Sequence, residues 1–299
     1  MSTIAFLGLG HMGGPMAANL VKAGHTVLGF DPVPTAQEAA RQNGIDVRGT
    51  ALEAAEGAQT VITMLPNGAL VLELYEEIVP AAAPGTLFID SSTVDVADAR
   101  AAHDKTQSAG HVMIDAPVSG GVVGATGGTL AFMVGGDESA FDRAHPLLEQ
   151  MGRKIVHCGE SGNGQAAKLC NNMILGISMA AVSEAFVLGE KLGLSNQALY
   201  DVASNASGQC WALTTNCPVP GPVPTSPANR DYEAGFSIGL MAKDLGLAAN
   251  AVRANDVAAD FGLQAAERYA LMRDEGRAAN DFSDVINDIR EHSGKGSDQ

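Results

Sequence analysis

Aromatic residues make up only 5% of the chain, and 18 basic side chains stand against 34 acidic ones. A nucleic-acid binder needs stacking rings and a positive face, so both scarcities argue against that class. The formal net charge of −16 also repels acidic membrane leaflets. Cysteine is scarce as well. Cys158, Cys170, Cys210 and Cys217 are scattered with no C-x-x-C pair. That spacing favours free thiols in a reducing compartment over disulfides or a zinc site, and no metal is expected. No run of about 18 uninterrupted apolar residues occurs, so no membrane span is expected. The opening Met1-Ser2-Thr3-Ile4-Ala5-Phe6-Leu7 lacks a signal peptide's basic and apolar regions, and no Arg-rich transit segment precedes Ile4. A cytoplasmic location follows as an expectation.

What the chain has is glycine, 35 residues of it, and 46% apolar content over 299 residues. That length is near the limit for one core, so two domains are expected. Residues 3–8 read as a buried strand, followed by a glycine turn and a helix from about Met12 to Ala23. His25 to Phe30 is a second apolar run, completing a βαβ unit of a parallel sheet. Strands are expected again at Thr60–Leu65, Thr86–Asp90, Val112–Asp115, Leu130–Val134 and Lys154–His157, with a helix at Ala36–Asn43. This alternation predicts an α/β Rossmann-type doubly wound sheet over residues 1–163. From Gln165 to about Leu194 apolar residues recur at helical spacing with no proline, which predicts one long helix. Further helices are expected at Asn196–Ser204, Ser237–Ala254, Ala258–Asp274 and Ser283–Glu291. Residues 164–294 are therefore read as an all-α C-terminal domain. Its five prolines between Cys217 and Pro227 predict an extended loop, and residues 295–299 a frayed tail.

Gly8-Leu9-Gly10-His11-Met12-Gly13 is the turn that carries chemistry. In such a turn the first glycine permits the tight bend, the second lets a pyrophosphate approach, and the third lets helix and strand pack. His11 is expected to contribute backbone rather than imidazole. Asp31, 18 residues past Gly13 at the end of the second strand, can accept hydrogen bonds from an adenosine ribose. It would repel a 2′-phosphate, so NAD is expected over NADP; a turn or helix-capping acid before Pro32 is the alternative. At another strand end, the backbone of Gly120 and Gly121 with the hydroxyl of Ser119 can grip a small carboxylate.

Lys168 and Asn172 lie four apart in the long helix and so share one face. A cation in a helix's first turn opposes the macrodipole, which points to a role beyond helix stability. In a closed cleft, cofactor charge, helix N-terminus and desolvation would lower the lysine pKa from about 10.4. Reaching about 7 costs on the order of 4–5 kcal/mol. The amine can then exchange a proton with a substrate hydroxyl, while Asn172 orients lysine or substrate. Lys243 can reach the cofactor or a substrate carboxylate. Trp211 is read either as a wall of the substrate pocket or as core packing, and Phe236 likewise.

With these motifs in order, the chain resembles the β-hydroxyacid dehydrogenase family over nearly its whole length. The matching segments are Phe6 to Leu20, Asp115 to Gly121, Gly162 to Asn172 and Lys243-Asp244-Leu245. The resemblance implies an enzyme, an NAD-dependent dehydrogenase, with Lys168 as its catalytic residue. It adds Leu65, Pro66 and Thr93 to the cofactor site. Cys210-Trp211, Asn216 to Gly221, Gly235 to Leu247 and Asp281 to Ile286 resemble one branch. That branch implies oxidation of 3-hydroxyisobutyrate to methylmalonate semialdehyde in valine breakdown. Other family substrates, tartronate semialdehyde, glyoxylate or succinic semialdehyde, are the alternative. A non-catalytic dinucleotide-binding module is disfavoured, because such relatives have typically lost the lysine. The resemblance further implies a homodimer or homotetramer formed through the helical domain, 164–294, which also contacts substrate, with a small 3-hydroxy acid as the other partner.

Overall fold

The computed structural model describes residues 1–294 and divides into two compact units, Met1–Lys168 and Leu169 onward. In the first unit the strands are β1 (Thr3–Leu7), β2 (Thr26–Phe30), β3 (Asp46–Val47), β4 (Thr60–Thr63), β5 (Leu87–Asp90), β6 (Val112–Asp115), β7 (Val118–Ser119), β8 (Leu130–Gly135) and β9 (Gly152–Gly159). Between them run α1 (Gly13–Lys22), α2 (Pro34–Gln42), α3 (Ala51–Ala55), α4 (Gly68–Ile78), α5 (Val96–Ser108), α6 (Gly121–Gly127) and α7 (Glu138–Leu148).

The sheet order is β3-β2-β1-β4-β5-β6, all parallel, as the strand–helix alternation anticipates. Order reverses between β1 and β4, and ligands of such sheets bind at that switch point. Alternate residues of β1 feed two separate cores. Ile4 and Phe6 pack in one, Ala5 and Leu7 in the other. Both faces of the sheet are therefore covered, which is why its central strands read as continuous apolar runs. The far edge departs from the parallel expectation. β8 runs antiparallel to β6 and β7, and β9 is parallel to β8. β6 and β7 are nearly one strand interrupted at Ala116-Pro117, and the chain then returns through α6 to run back beside them.

The long helix α8 spans Asn163–Lys191, so the division between the units falls inside it. Among the described residues it is long and apolar enough to cross a membrane, by length and composition. It holds no long uninterrupted apolar run, because Asn171, Asn172, Ser178 and Ser183 are spaced along it. Its Met179, Phe186 and Val187 belong to the core of the second unit. That unit continues with α9 (Asn196–Ala203), α10 (Trp211–Thr214), α11 (Ile238–Ala254), α12 (Asp260–Met272) and α13 (Val285–Ser293).

The proline-rich segment is not extended. Val219 is buried, the Ser226 hydroxyl donates to the Cys217 carbonyl at 2.5 Å, and a short 3-10 turn covers Pro227–Arg230. Proline blocks helix and strand there without preventing compact turns. α12 stops at Met272, and Gly276 with φ of 92° bends the chain just beyond it. The expected tail, residues 295–299, lies outside the described residues.

Candidate active site

The glycine turn joins β1 to α1 at the switch point. Gly8 has φ of 95°, and a Cβ there would overlap the Met64 carbonyl at the end of β4. A Cβ on Gly13 would overlap the carbonyl of Gly8 itself. Gly10 is different: it is exposed, and among the described residues a Cβ would meet no atom within 4 Å apart from those of its chain neighbours. Two glycines thus serve packing and the middle one leaves its side open, as a pyrophosphate turn needs. Leu9 is buried, Met12 half-buried and His11 exposed. Asp31 is buried and holds this turn. Its Oδ2 accepts from the Leu9 N–H at 2.7 Å and its Oδ1 from the Val33 N–H at 2.8 Å. The carboxylate therefore has a turn-capping duty, and its remaining lone pairs are what a ribose would meet.

The loops after β4 and β5 are tied together. The Leu65 N–H donates to Ser92 Oγ at 2.8 Å, and that hydroxyl donates to Asp90 Oδ1 at 2.6 Å. Thr63 Oγ1 donates to the same Oδ1 at 2.7 Å and lies 3.2 Å from the Tyr75 hydroxyl. Burial is the main cause that pushes the Asp90 carboxyl up to about 6, against the pull of these donors. Pro66, next along the β4 loop, is exposed, and Thr93 is half-buried.

Gln165, fully buried, reaches back from α8 to that second loop. Its Oε1 accepts from the Val94 N–H at 3.1 Å and its Nε2 donates to the Ser92 carbonyl at 2.7 Å. Thr93 sits between the two clamped residues. Asp115, at the end of β6, accepts from the N–H groups of Gly162 at 2.7 Å and Gln165 at 2.8 Å. It caps the start of α8, where backbone donors have no helical partner. Burial raises the Asp115 carboxyl above its ordinary range while these N–H bonds oppose the rise. Lys168 lies one turn further along α8 and is 6% exposed, so it is not a solvated surface lysine.

Ser119, half-buried, ends β7. Gly120 and Gly121 follow with φ of 129° and 60°, a backbone that side-chain-bearing residues rarely adopt. The bend turns the chain directly into α6.

In the second unit Asn172 is buried, and its Nδ2 donates to Asp244 Oδ2 at 2.6 Å. Asp244 Oδ1 lies 3.6 Å from the Lys243 ammonium, whose side chain is 33% exposed. Trp211 opens α10 at 52% exposure, so core packing is not its role. Phe236 is half-buried and meets Phe282 edge-on at 5.7 Å between ring centroids. Its N–H and that of Gly235 donate to Asp281 Oδ2, both at 3.0 Å.

Asp90, Gln165, Asp244 and Asp281, which support these candidate residues, have no individual role in the sequence motifs. Gln165, Asp244 and Asp281 stand in the quoted segments, three positions before Lys168, one after Lys243 and at the head of the last segment, and that placement is the signal the sequence offers.

A family model described as the NAD binding domain of 6-phosphogluconate dehydrogenase matches residues 3–159. Another, described as NAD-binding of NADP-dependent 3-hydroxyisobutyrate dehydrogenase, matches residues 162–289. A probable 3-hydroxyisobutyrate dehydrogenase of Mycobacterium tuberculosis is 58% identical, over 97% of this chain and 98% of its own. An NAD-dependent L-serine dehydrogenase of Pseudomonas aeruginosa is 45% identical, over 95% and 97%. The solved structure of Mycobacterium tuberculosis 3-hydroxyisobutyrate dehydrogenase with L-serine superposes with a TM-score of 0.95 at 58% identity, covering 97% of this chain and 99% of that one. A glycine turn at the switch point, a buried lysine on a capped helix and relatives matched over nearly their whole length lead to one conclusion: the chain belongs to the NAD-binding 3-hydroxyisobutyrate dehydrogenase family.

Proposed function

We propose that this enzyme oxidises 3-hydroxyisobutyrate to methylmalonate semialdehyde, the step expected in valine breakdown, with Lys168 as the acid/base. The observation that carries the reading is the burial of Lys168 in the first turns of a helix whose start is capped by Asp115. Bound NAD supplies the hydride acceptor. Gly8, Leu9, Gly10, His11, Met12 and Gly13 present backbone to its pyrophosphate, and Asp31 meets the ribose, which favours NAD over NADP. Leu65, Pro66, Thr93 and Lys243 complete the cofactor contacts. Ser119, Gly120 and Gly121 hold the substrate carboxylate, and Asn172, Trp211 and Phe236 contribute to substrate recognition. As the alcohol carbon gives up its hydride, the hydroxyl proton passes to the Lys168 amine, leaving the aldehyde. In the reverse direction Lys168 returns that proton.

The second reading is oxidation of L-serine. It is favoured by the 45%-identical serine dehydrogenase and by the similar structure described with L-serine. Both substrates are 3-hydroxy acids with a primary alcohol, and they differ at C2, a methyl in one and an ammonium in the other. The absorbance of reduced NAD, followed with both acids and with tartronate semialdehyde, glyoxylate and succinic semialdehyde, decides between them. 3-Hydroxyisobutyrate should give the highest kcat/KM; a larger value for L-serine selects the second reading. Lys168→Ala should lower kcat by roughly 100-fold or more with cofactor affinity little changed. A variant that keeps most of its turnover would remove the lysine from the chemistry. We further read the chain as a cytoplasmic homodimer or homotetramer. Its four free cysteines fit the compartment, and fractionation that finds the protein in the cell envelope would refute it.

A further inference from the structure

We propose that Gln165 is a positioning residue that registers the lysine helix against the cofactor loop. This rests on the reading above, in which Thr93 meets the cofactor and Lys168 handles the proton. The side chain is fully buried and lies 71 and 73 positions from its two backbone partners. It bonds on both sides of Thr93, accepting from the Val94 N–H and donating to the Ser92 carbonyl. Only one amide orientation satisfies both, because a flipped amide would set donor against donor and acceptor against acceptor. A glutamate keeps the acceptor but turns a second oxygen toward a carbonyl, and a methionine offers neither partner.

Lys168 stands three residues on, about 4.5 Å further along the helix axis and on nearly the same side. The backbone of Gln165 is fixed separately, by Asp115 at 2.8 Å. One residue thus holds the helix start through its N–H and the loop through its side chain. The β5 loop is held a second time on its other flank, where Ser92 Oγ meets Asp90 and the Leu65 N–H. Removing the Gln165 amide therefore leaves the Asp115 cap and the sheet in place and releases only the register between Thr93 and the turn that leads to Lys168. A structural role predicts lost thermal stability with unchanged turnover per folded molecule. A positioning role predicts lost turnover in a folded enzyme.

The test uses the full chain with Gln165→Met and Gln165→Glu. It measures thermal midpoint, NAD dissociation constant by calorimetry, and kcat and KM with whichever 3-hydroxy acid the wild-type enzyme turns over. Gln165→Met should lower kcat roughly 10- to 100-fold, the scale of a misplacement near 1 Å. It should weaken NAD several-fold and leave the fold intact by circular dichroism. Gln165→Glu, which keeps the bond to Val94, should fall between Met and wild type, and it supplies the same readout if the Met variant does not fold. A kcat within threefold of wild type in the folded variant overturns the proposal, whatever the thermal midpoint does. Lys168→Ala run beside them separates the two ideas. If it retains turnover, the lysine reading fails while the Gln165 kcat still decides the positioning role. If the wild-type chain oxidises no 3-hydroxy acid, the functional reading fails by itself. Gln165 is then judged on NAD affinity, where an unchanged dissociation constant overturns it.

Discussion

Asp31, Asp115 and Asp281 are buried carboxylates that each take backbone N–H groups from segments 22 to 50 positions away. A carboxylate accepts several bonds at once, so one side chain can pin two strands of loop, and the N–H groups offset its desolvation. Asp90 is the exception. Oδ1 accepts the Ser92 N–H and two hydroxyls, but Oδ2 is buried without a partner among the described residues. Burial raises its carboxyl from 3.8 to about 6. A raised carboxyl favours the protonated form in the folded state. The native chain then binds more protons than the unfolded one between pH 3.8 and about 6, and stability contributed by this group falls as pH rises through that window. The interval corresponds to on the order of 3 kcal/mol. Asp90→Asn keeps the Oδ1 acceptor and removes the charge. Relative to this variant, the wild-type protein should lose stability progressively from pH 4 to above 6 in urea unfolding. A pH-independent difference between the two would show that Asp90 is ionised at little cost.

At the scale of elements, the glycine turn lets packing and the proposed cofactor contact be tested apart within six residues. Gly8 is closed off by the Met64 carbonyl, whereas Gly10 faces open space. Gly8→Ala should therefore lower the thermal midpoint of the free protein by several degrees, as strain at a special backbone conformation does. Gly10→Ala should leave that midpoint nearly unchanged yet weaken NAD about tenfold or more, because its methyl occupies the side the pyrophosphate needs. Equal NAD affinity in Gly10→Ala and wild type would disconnect this turn from the cofactor. The turn and the central strands were legible in the sequence because each is a local pattern: an apolar run, a glycine spacing, an acid at a strand end. β3 and β7 were not, since two residues carry no period. The reversal of β8 was hidden as well, because it depends on where Ala116-Pro117 breaks the preceding strand. Lys168 and Asn172 were legible as neighbours one helical turn apart. Their supports were not: Gln165 finds its partners 71 and 73 positions away, and Asp244 meets Asn172 across 72. Single-residue hydrogen bonds over such separations leave no periodic trace.

For the whole molecule, association sets two physical effects against each other. The second unit exposes Ile174 and Leu188 on α8 and Phe261 and Leu271 on α12, at 56 to 75% exposure. A groove of about 600 Å³ lies beside them, lined by Ile177, Phe261 and Leu271 and also by Glu184, Arg268 and Asp288. Fully covering such a side chain gains up to about 1.5–3 kcal/mol, which favours assembly against its entropic cost. A net charge of −16 on every copy opposes it. That repulsion weakens as the screening length falls from about 30 Å at 0.01 M salt to about 8 Å at 0.15 M. Assembly should therefore tighten with added salt, the reverse of an interface built on surface ion pairs. Light scattering at micromolar concentration and 0.15 M salt should give two or four times the 30.6 kDa chain mass. Lowering the salt should shift the average toward the single chain, and Leu188→Glu, which buries a charge in the contact, should do the same at constant salt. A wild-type protein that scatters as one chain at every salt concentration would leave the exposed face without a self-association role.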